Sequence, residues 1–272
     1  MPNRLSLLLT GCALLLAACG GGGTPTVQPP ADPVSSVSGM VVEDSSTGGG
    51  IVTTAWAGGA GQITGKITYG SGDSATTEAV TTGTLSQDGT FTLDLPGSMD
   101  GAKLHAFTGS FFDVGAQAQA DSGTTACSGS PTLSSASARG VMLLVNVEAA
   151  RNGSIVPLLA ASSGTSSQSA GGFQIGGLLY VDSPVIVGGK VVCTSTYSGT
   201  QVTGTVTYRL NLAAGWNKLT IRESSGATSL SGGANSQDIS LTSGAFPTDQ
   251  WLFSPYTAPI PVRPEDIGSP VR

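Results

Sequence analysis

The sequence predicts an all-β fold, one or two antiparallel β-sandwich modules that follow an apolar leader and a flexible tether. Three observations carry that expectation. Charged residues make up 10% of the chain, against about 25% in ordinary globular domains, and Gly, Ser and Thr stand in their place. Apolar residues recur at every second position in segment after segment, the spacing of a half-buried strand. Turn signals such as Asp-Gly, Asn-Gly and Gly-Gly separate those segments. Hydrophobic content is 39%, and disorder goes with the opposite balance of low hydrophobicity and high charge.

The strands are read in order. Val37–Val42 and Ile51–Trp56 come first. Gln62–Tyr69 alternates, with Ile63, Ile67 and Tyr69 on one face and Thr64, Lys66 and Thr68 on the other. Val80–Leu85 leads through Ser86-Gln87-Asp88-Gly89 into Thr90–Pro96. There Phe91, Leu93 and Leu95 face inward, and Thr90, Thr92 and Asp94 outward; Asp88-Gly89 marks a hairpin because Gly accepts positive φ. Lys103–Phe107 follows. Residues 109–138, rich in Gly, Ala, Ser and Thr, read as a long connection holding Cys127. Val141–Val147 reads as a buried strand. Asn152-Gly153 turns the chain into Ile155–Leu159, where Pro157 argues for an edge or bulged strand.

Residues 162–172 read as a loop. Leu178–Val181, Val185–Val187 and Val191–Tyr197 are short strands, the last two parted by a Gly188-Gly189 turn. Val202–Leu212 alternates, and Ala213-Ala214-Gly215 turns it into Trp216–Ile221. Trp216 falls off the Leu219/Ile221 face, which suggests a bulge or a rim position. The stretch from Phe246 carries prolines from Pro247 to Pro270 and is excluded from helix and central strand. It reads as an extended tail, packed on its own domain or docking a partner.

The segment GKITYG…AVTTGTLSQDGTFTLDLPGS resembles the carboxypeptidase regulatory-like and transthyretin-like β-sandwich modules. Asp88-Gly89-Thr90-Phe91-Thr92-Leu93 and Leu95-Pro96-Gly97 carry the match. The resemblance covers residues 37–108. It implies a small binding or structural module and transfers no catalytic residue.

The chain opens MPNRLSLLLTGCALLLAACGGGGTPT. Arg4 and the amino terminus give a short positive region. Leu5–Ala18 is an uncharged apolar run, shorter than the about 20 residues of a spanning helix and within the roughly 7–15 of a signal-peptide apolar region. Gly20–Gly23 ends any helix, each Gly costing about 1 kcal/mol relative to Ala. Leu16-Ala17-Ala18-Cys19 resembles the lipobox of bacterial lipoproteins. That resemblance implies diacylglycerol on the Cys19 sulfur, cleavage before Cys19 and acylation of the new amine. Leu9-Thr10-Gly11-Cys12 also fits, but cleavage there leaves an apolar run of only Leu5–Leu9. Gly20, where an acidic residue is absent, resembles the outer-membrane-directed pattern of bacteria with two membranes. The expected location is the bacterial cell envelope, lipid-anchored.

The expected organisation is a leader at 1–18, a lipidated cysteine and Gly/Pro-rich tether at 19–36, a sandwich module at 37–125, a second β-rich module at 126–245 and a Pro-rich tail at 246–272. Fully extended, the tether reaches roughly 55 Å at about 3.3 Å per residue.

Loss of 1–18 removes Arg4 and no acid, so the balance goes from 11 basic against 17 acidic to 10 against 17. An acidic chain without a basic block is not built for nucleic acid. It is repelled by anionic headgroups, so the lipid on Cys19 must hold it to the membrane. With Cys12 cut off and Cys19 lipidated, Cys127 and Cys193 remain, and a disulfide between them is expected in an oxidising compartment. It closes a loop of ~66 residues, worth about 4 kcal/mol in the chain-entropy model. Two free thiols are the alternative; two cysteines and one histidine are not a zinc constellation.

His105 is the only histidine, near Ser110 and Asp113 in KLHAFTGSFFD. A Ser-His-Asp hydrolase needs those groups convergent beside an oxyanion hole, and no Gly-x-Ser-x-Gly elbow is present. His105 therefore reads as a structural or exposed strand residue. Glu78, Asp88, Asp94, Asp100, Asp113 and Asp121 form no Asp-x-Asp-x-Asp-Gly loop; a calcium site between loops is the remaining metal reading. No glycine-rich strand-to-helix turn cradles a phosphate. No catalytic residue, metal or cofactor is expected.

The expected function is a lipid-anchored envelope protein with a structural or protein-interaction role, its partner an envelope protein or glycan. One alternative is a carbohydrate- or small-ligand-binding lipoprotein with an aromatic-lined concavity containing Trp56 or Trp216. Another is a hydrolase with His105 in reach of a Ser or a carboxylate.

Overall fold

The computed structural model describes residues 32–45, 51–71, 74–107, 124–161, 172–197, 200–227 and 235–256. The expected leader with Cys12 and Cys19, most of the tether, and Ser110, Asp113 and Asp121 lie outside the described residues, as do residues 257–272.

The fold is all-β. The strands are β1 (Ser36–Asp44), β2 (Thr53–Ala55), β3 (Gly61–Tyr69), β4 (Thr76–Leu85), β5 (Thr90–Asp94), β6 (His105–Ala106), β7 (Thr124–Leu133), β8 (Arg139–Glu148), β9 (Asn152–Ala161) and β10 (Gly172–Val181). They continue with β11 (Val185–Tyr197), β12 (Thr200–Leu212), β13 (Gly215–Ala227), β14 (Asn235–Ser243) and β15 (Gln250–Pro255). A 3₁₀ turn, Gly101–Lys103, is capped by Asp100.

All of these strands join one continuous sheet. The pairing is mixed rather than wholly antiparallel, because β1–β15 and β12–β14 run parallel. The pairings β8–β3–β4–β5–β1–β15–β9–β8 close a ring. Closure gives each of those strands a partner on both sides, although β4 meets β5 only at Thr84↔Thr92 and Leu85↔Phe91. From the ring a second array, β10–β13–β14–β12–β11–β7, extends outward.

The two parts meet where three strands share partners. β8 pairs with β9 through Val145↔Ile155 to Glu148↔Asn152, and with β10 through Leu178↔Leu143 to Val181↔Gly140. β9 and β10 pair with each other through Ile175↔Leu158 to Gly172↔Ala161. Each strand must bend where its partner changes. Val156 and Pro157 fill the gap in β9, which suits a residue with no N–H to offer a ladder. Gly176 and Gly177 fill the gap in β10, and a Cβ on Gly176 would stand 2.7 Å from the Pro157 ring.

Each part has its own core. The first is filled from the ring strands by Val37, Ile63, Ile67, Phe91, Leu93, Val147, Ile155, Trp251 and Phe253, among others. The second collects Val187, Val191, Tyr208, Leu210, Leu212, Leu219 and Leu241 from the outer array. The first core thus draws on β8, β9 and β15, all beyond residue 126.

Several strand expectations are corrected. β7 replaces part of the connection expected at 109–138; Ala126–Ser130 are exposed, so no apolar rhythm announced it. Gly188-Gly189 is not a turn but lies inside β11, opposite Thr132 and Pro131 of β7. Residues 250–255, excluded above from a central strand, are β15, with β1 on one side and β9 on the other. Within β15 the only proline is the last residue, so the ladder keeps its donors. Trp216 is neither bulged nor at a rim. It points away from Leu219 and Ile221, as its parity requires, but that other face packs into the first core.

Trp251 holds the ring closed. It is 2% exposed, and Phe91 and Phe246 meet it edge-on at 5.2 and 5.4 Å between ring centres. Its indole lies across Gly39 of β1, where a Cβ would run into the ring and into the Asp249 carbonyl. Gly39→Ala is therefore expected to cost about 1–3 kcal/mol by overpacking, and Trp251→Ala about 3–5 kcal/mol by leaving a cavity. Denaturant unfolding of the two variants measures both; an unchanged midpoint for either would contradict this account of ring closure.

Candidate functional site

β12, β13 and β14 alternate cleanly. Tyr208, Leu210, Leu219, Ile221, Ile239 and Leu241 are buried on the inner face. The residues between them, Thr207, Arg209, Thr220, Arg222, Asp238 and Ser240, therefore stand on the outer face. Register then aligns them. Lys190 of β11 pairs with Thr207, Thr207 with Ser240, and Ser240 with Arg222, one row across four strands. Thr205, Asp238 and Ser224 make the adjoining row.

These two rows line an open concavity of about 330 Å³. At about 4.8 Å between neighbouring strands, Lys190 and Arg222 sit ~14 Å apart at their backbones, flanking the hydroxyls. Lys190, Arg222 and Asp238 are exposed, and none joins an ion pair among the described residues. The set offers cationic donors, hydroxyls that both donate and accept, and one carboxylate acceptor. It can recognise a polar ligand by hydrogen bonds and charge. No hydroxyl in it stands beside a histidine base, so it offers no nucleophile of the triad kind.

A second polar cluster is closed on itself. The Tyr69 hydroxyl donates to Glu78 Oε2 at 3.1 Å, and the Lys103 ammonium bonds Glu78 Oε1. Lys103 Nζ also lies 5.7 Å above the Tyr69 ring. Lys103 holds the Glu78 carboxyl below its ordinary range, and Tyr69 adds to that against partial desolvation. Glu78 in turn raises Lys103 and, as the acceptor of its hydroxyl, Tyr69. Every charge here is answered, so the cluster reads as a latch that pins the 3₁₀ turn to β3 and β4.

The sequence candidates fall as follows. His105 lies on β6 with Nε2 3.2 Å from the Thr68 carbonyl oxygen. Its expected partners Ser110 and Asp113 are outside the described residues. Trp56 and Trp216 are buried, 5% and 2% exposed. Trp56 Nε1 donates to the Gly59 carbonyl at 2.7 Å and Trp216 Nε1 to that of Pro96 at 2.9 Å. Both are core residues with their one donor satisfied. Among the described residues no group of three His, Cys, Asp or Glu is placed to hold a metal ion.

Cys127 and Cys193 face each other across the β7–β11 ladder at disulfide distance, with Cα atoms 4.0 Å apart. Cys193 packs against the second core while Cys127 is exposed. Among the described residues β7 pairs with β11 alone, so the bond clips an edge strand to the array.

No local sequence pattern marks the Lys190–Thr207–Ser240–Arg222 row. The outward positions were there in the alternation of 202–212. Their alignment depends on β14 lying parallel to β12 and between it and β13, which no local pattern states.

Two outcomes follow from the latch and the clip. Glu78 is depressed in the fold, so its contribution is full above the ordinary carboxylate range and is lost as pH falls through its folded value. In acid titrations of unfolding, Lys103→Met, which removes the main cause of the depression, is expected to lose less stability than the parent as pH falls below the ordinary carboxylate range; coincident profiles would dismiss the latch. Reduction of Cys127–Cys193 is expected to speed amide exchange across β7 while β12 stays protected. Exchange that rises equally in both strands would mean the bond supports the whole array.

No protein-family model, curated protein sequence or solved structure matches this chain.

Proposed function

We propose that the chain is a lipid-anchored protein of the bacterial cell envelope that works by binding, at the outer face of β11, β12, β14 and β13. The observation that carries the reading is the open concavity there, with Lys190, Arg222 and Asp238 uncommitted to any ion pair among the described residues.

The geometry of entry agrees with an anchor. The Val34 N–H donates to the Trp216 carbonyl at 2.9 Å, and Pro33 packs beside Gly215. The chain thus enters the fold at the β12–β13 turn. Arg222 lies seven residues along β13 from Gly215, ~23 Å at about 3.3 Å per residue. The face is held away from the point where the tether arrives. Leu16-Ala17-Ala18-Cys19 supports the lipid, and acyl chains contribute roughly 0.8 kcal/mol per buried methylene.

In cells fed labelled palmitate, Cys19→Ala is expected to lose both label and membrane association, and Cys12→Ala to keep them. Label retained in Cys19→Ala overturns the anchor. A photo-crosslinker replacing Thr207 is expected to give adducts on intact cells where one replacing exposed Thr92, on the ring, gives none. Equal adducts at both positions overturn the choice of face.

A further inference from the structure

The residues of the outer face restrict what it can hold. Lys190 and Arg222 bring positive charge to its two sides, in a chain of formal net charge −6. Between them stand the hydroxyls of Thr205, Thr207, Ser224 and Ser240 and the carboxylate of Asp238. A bare polyanion satisfies the cations but is repelled by Asp238 and makes little use of the hydroxyls. A neutral sugar suits the hydroxyls and Asp238 but must desolvate two cations without giving them a counter-charge. A ligand that carries hydroxyls and oxyanions together uses every group present.

We propose that this face binds an acidic saccharide, a sugar chain bearing carboxylate or sulfate groups. Lys190 and Arg222 hold its oxyanions, and Asp238, Thr207 and Ser240 take its hydroxyls. The inference rests on reading this face as the binding surface. The openness of a sheet face lets a chain run past on both sides. Lys and Arg stems are long enough to reach inward over the hydroxyl rows. A nucleic acid is a poorer fit, because single strands bind on aromatic platforms and no aromatic residue lines the concavity. A membrane headgroup layer is poorer still, because an acidic chain is repelled by anionic headgroups.

The test presents the full chain, in nonionic detergent with its anchor in place, to immobilised polygalacturonate, alginate and heparin. Dextran is the neutral comparison and inorganic polyphosphate the hydroxyl-free one. Retention on at least one acidic saccharide at low salt is expected, together with release by about 0.5 M NaCl, where exposed charges are largely screened. The Lys190→Ala/Arg222→Ala double variant is expected to bind at least tenfold more weakly. Asp238→Ala is expected to weaken saccharide binding and strengthen polyphosphate binding, a reversal that general stickiness does not produce. All three side chains are exposed, so the variants are expected to unfold at the parent temperature.

Binding to none of the three acidic saccharides overturns the proposal. So does binding unchanged by the double variant, or polyphosphate held more tightly than every saccharide. None of these results bears on palmitate labelling at Cys19. Failure of the anchor, conversely, leaves saccharide binding by the purified chain where it was.

Discussion

Everything in the ring depends on one parallel pairing. β15 must return from the end of the described chain and lie between β1 and β9, with Val41 beside Trp251 and Val42 beside Leu252. Without it β1 and β9 would each expose a ladder, and Trp56, Phe91 and Phe253 would lose their aromatic neighbours. The pairing is close because β1 has no side chain at Gly39, so the Trp251 indole can lie on backbone. A large ring on one strand and a missing side chain on the other make a single complementary contact. This is the jigsaw fit that turns a generally hydrophobic core into one ordered state.

The second constraint is the three-strand junction. A ring and an open array can share strands only if those strands bend, and bending breaks ladders. The chain puts its exceptional residues at the breaks: Pro157 where β9 leaves β8, Gly176 and Gly177 where β10 passes from β9 to β8. The Pro157 ring then packs on Gly176, so the two bends brace one another. The junction also sets the outer array. β13 follows β10 along its full length from Gly172↔Ser224 to Val181↔Gly215, and the arrangement of β13, β14, β12 and β11 assembles the polar rows. The binding face is thus a consequence of how the ring is left.

Much of this was legible in sequence where one face is buried and the other wet. β3, β5 and β12 are legible because Ile63 and Ile67, Phe91 and Leu93, and Tyr208 and Leu210 recur on alternate positions, and β8 because Val141–Val147 is an apolar run broken only by Asn146. What was lost was lost for identifiable reasons. β7 is small and polar, and owes its place to pairing with β11 and to Cys127–Cys193. The prolines around β15 argue against a strand, yet they flank or end it. The parity of Trp216 gives its direction but not its burial, because a strand between two cores has no solvent face at that point. The binding rows needed strand order, which is long-range information. Alternation told which residues face outward, and only topology told which of them are neighbours.

The order of pairing also bears on why such a chain carries so little charge and so many hydroxyls. The contact that closes the ring joins residue 41 to residue 251, so the ring cannot close until nearly all of the chain is present. Long loops cost entropy before their contacts repay it, and such folds form slowly. During that interval β1, β9 and the edges of β10 are open ladders, the condition in which strands pair wrongly. A chain with clean apolar alternation on both faces would aggregate at that stage. Here Ser and Thr hold many of the outward positions, where they keep strand geometry and stay hydrated, while Met40, Leu159 and Ile186 are exposed exceptions on β1, β9 and β11. The cysteine clip acts at the same weak point from the other end, tying β7, the last strand of the array, to a partner that is already paired. The hydroxyl rows are therefore first a solution to slow closure, and Lys190, Arg222 and Asp238 are what turn one patch of that neutral surface into a site.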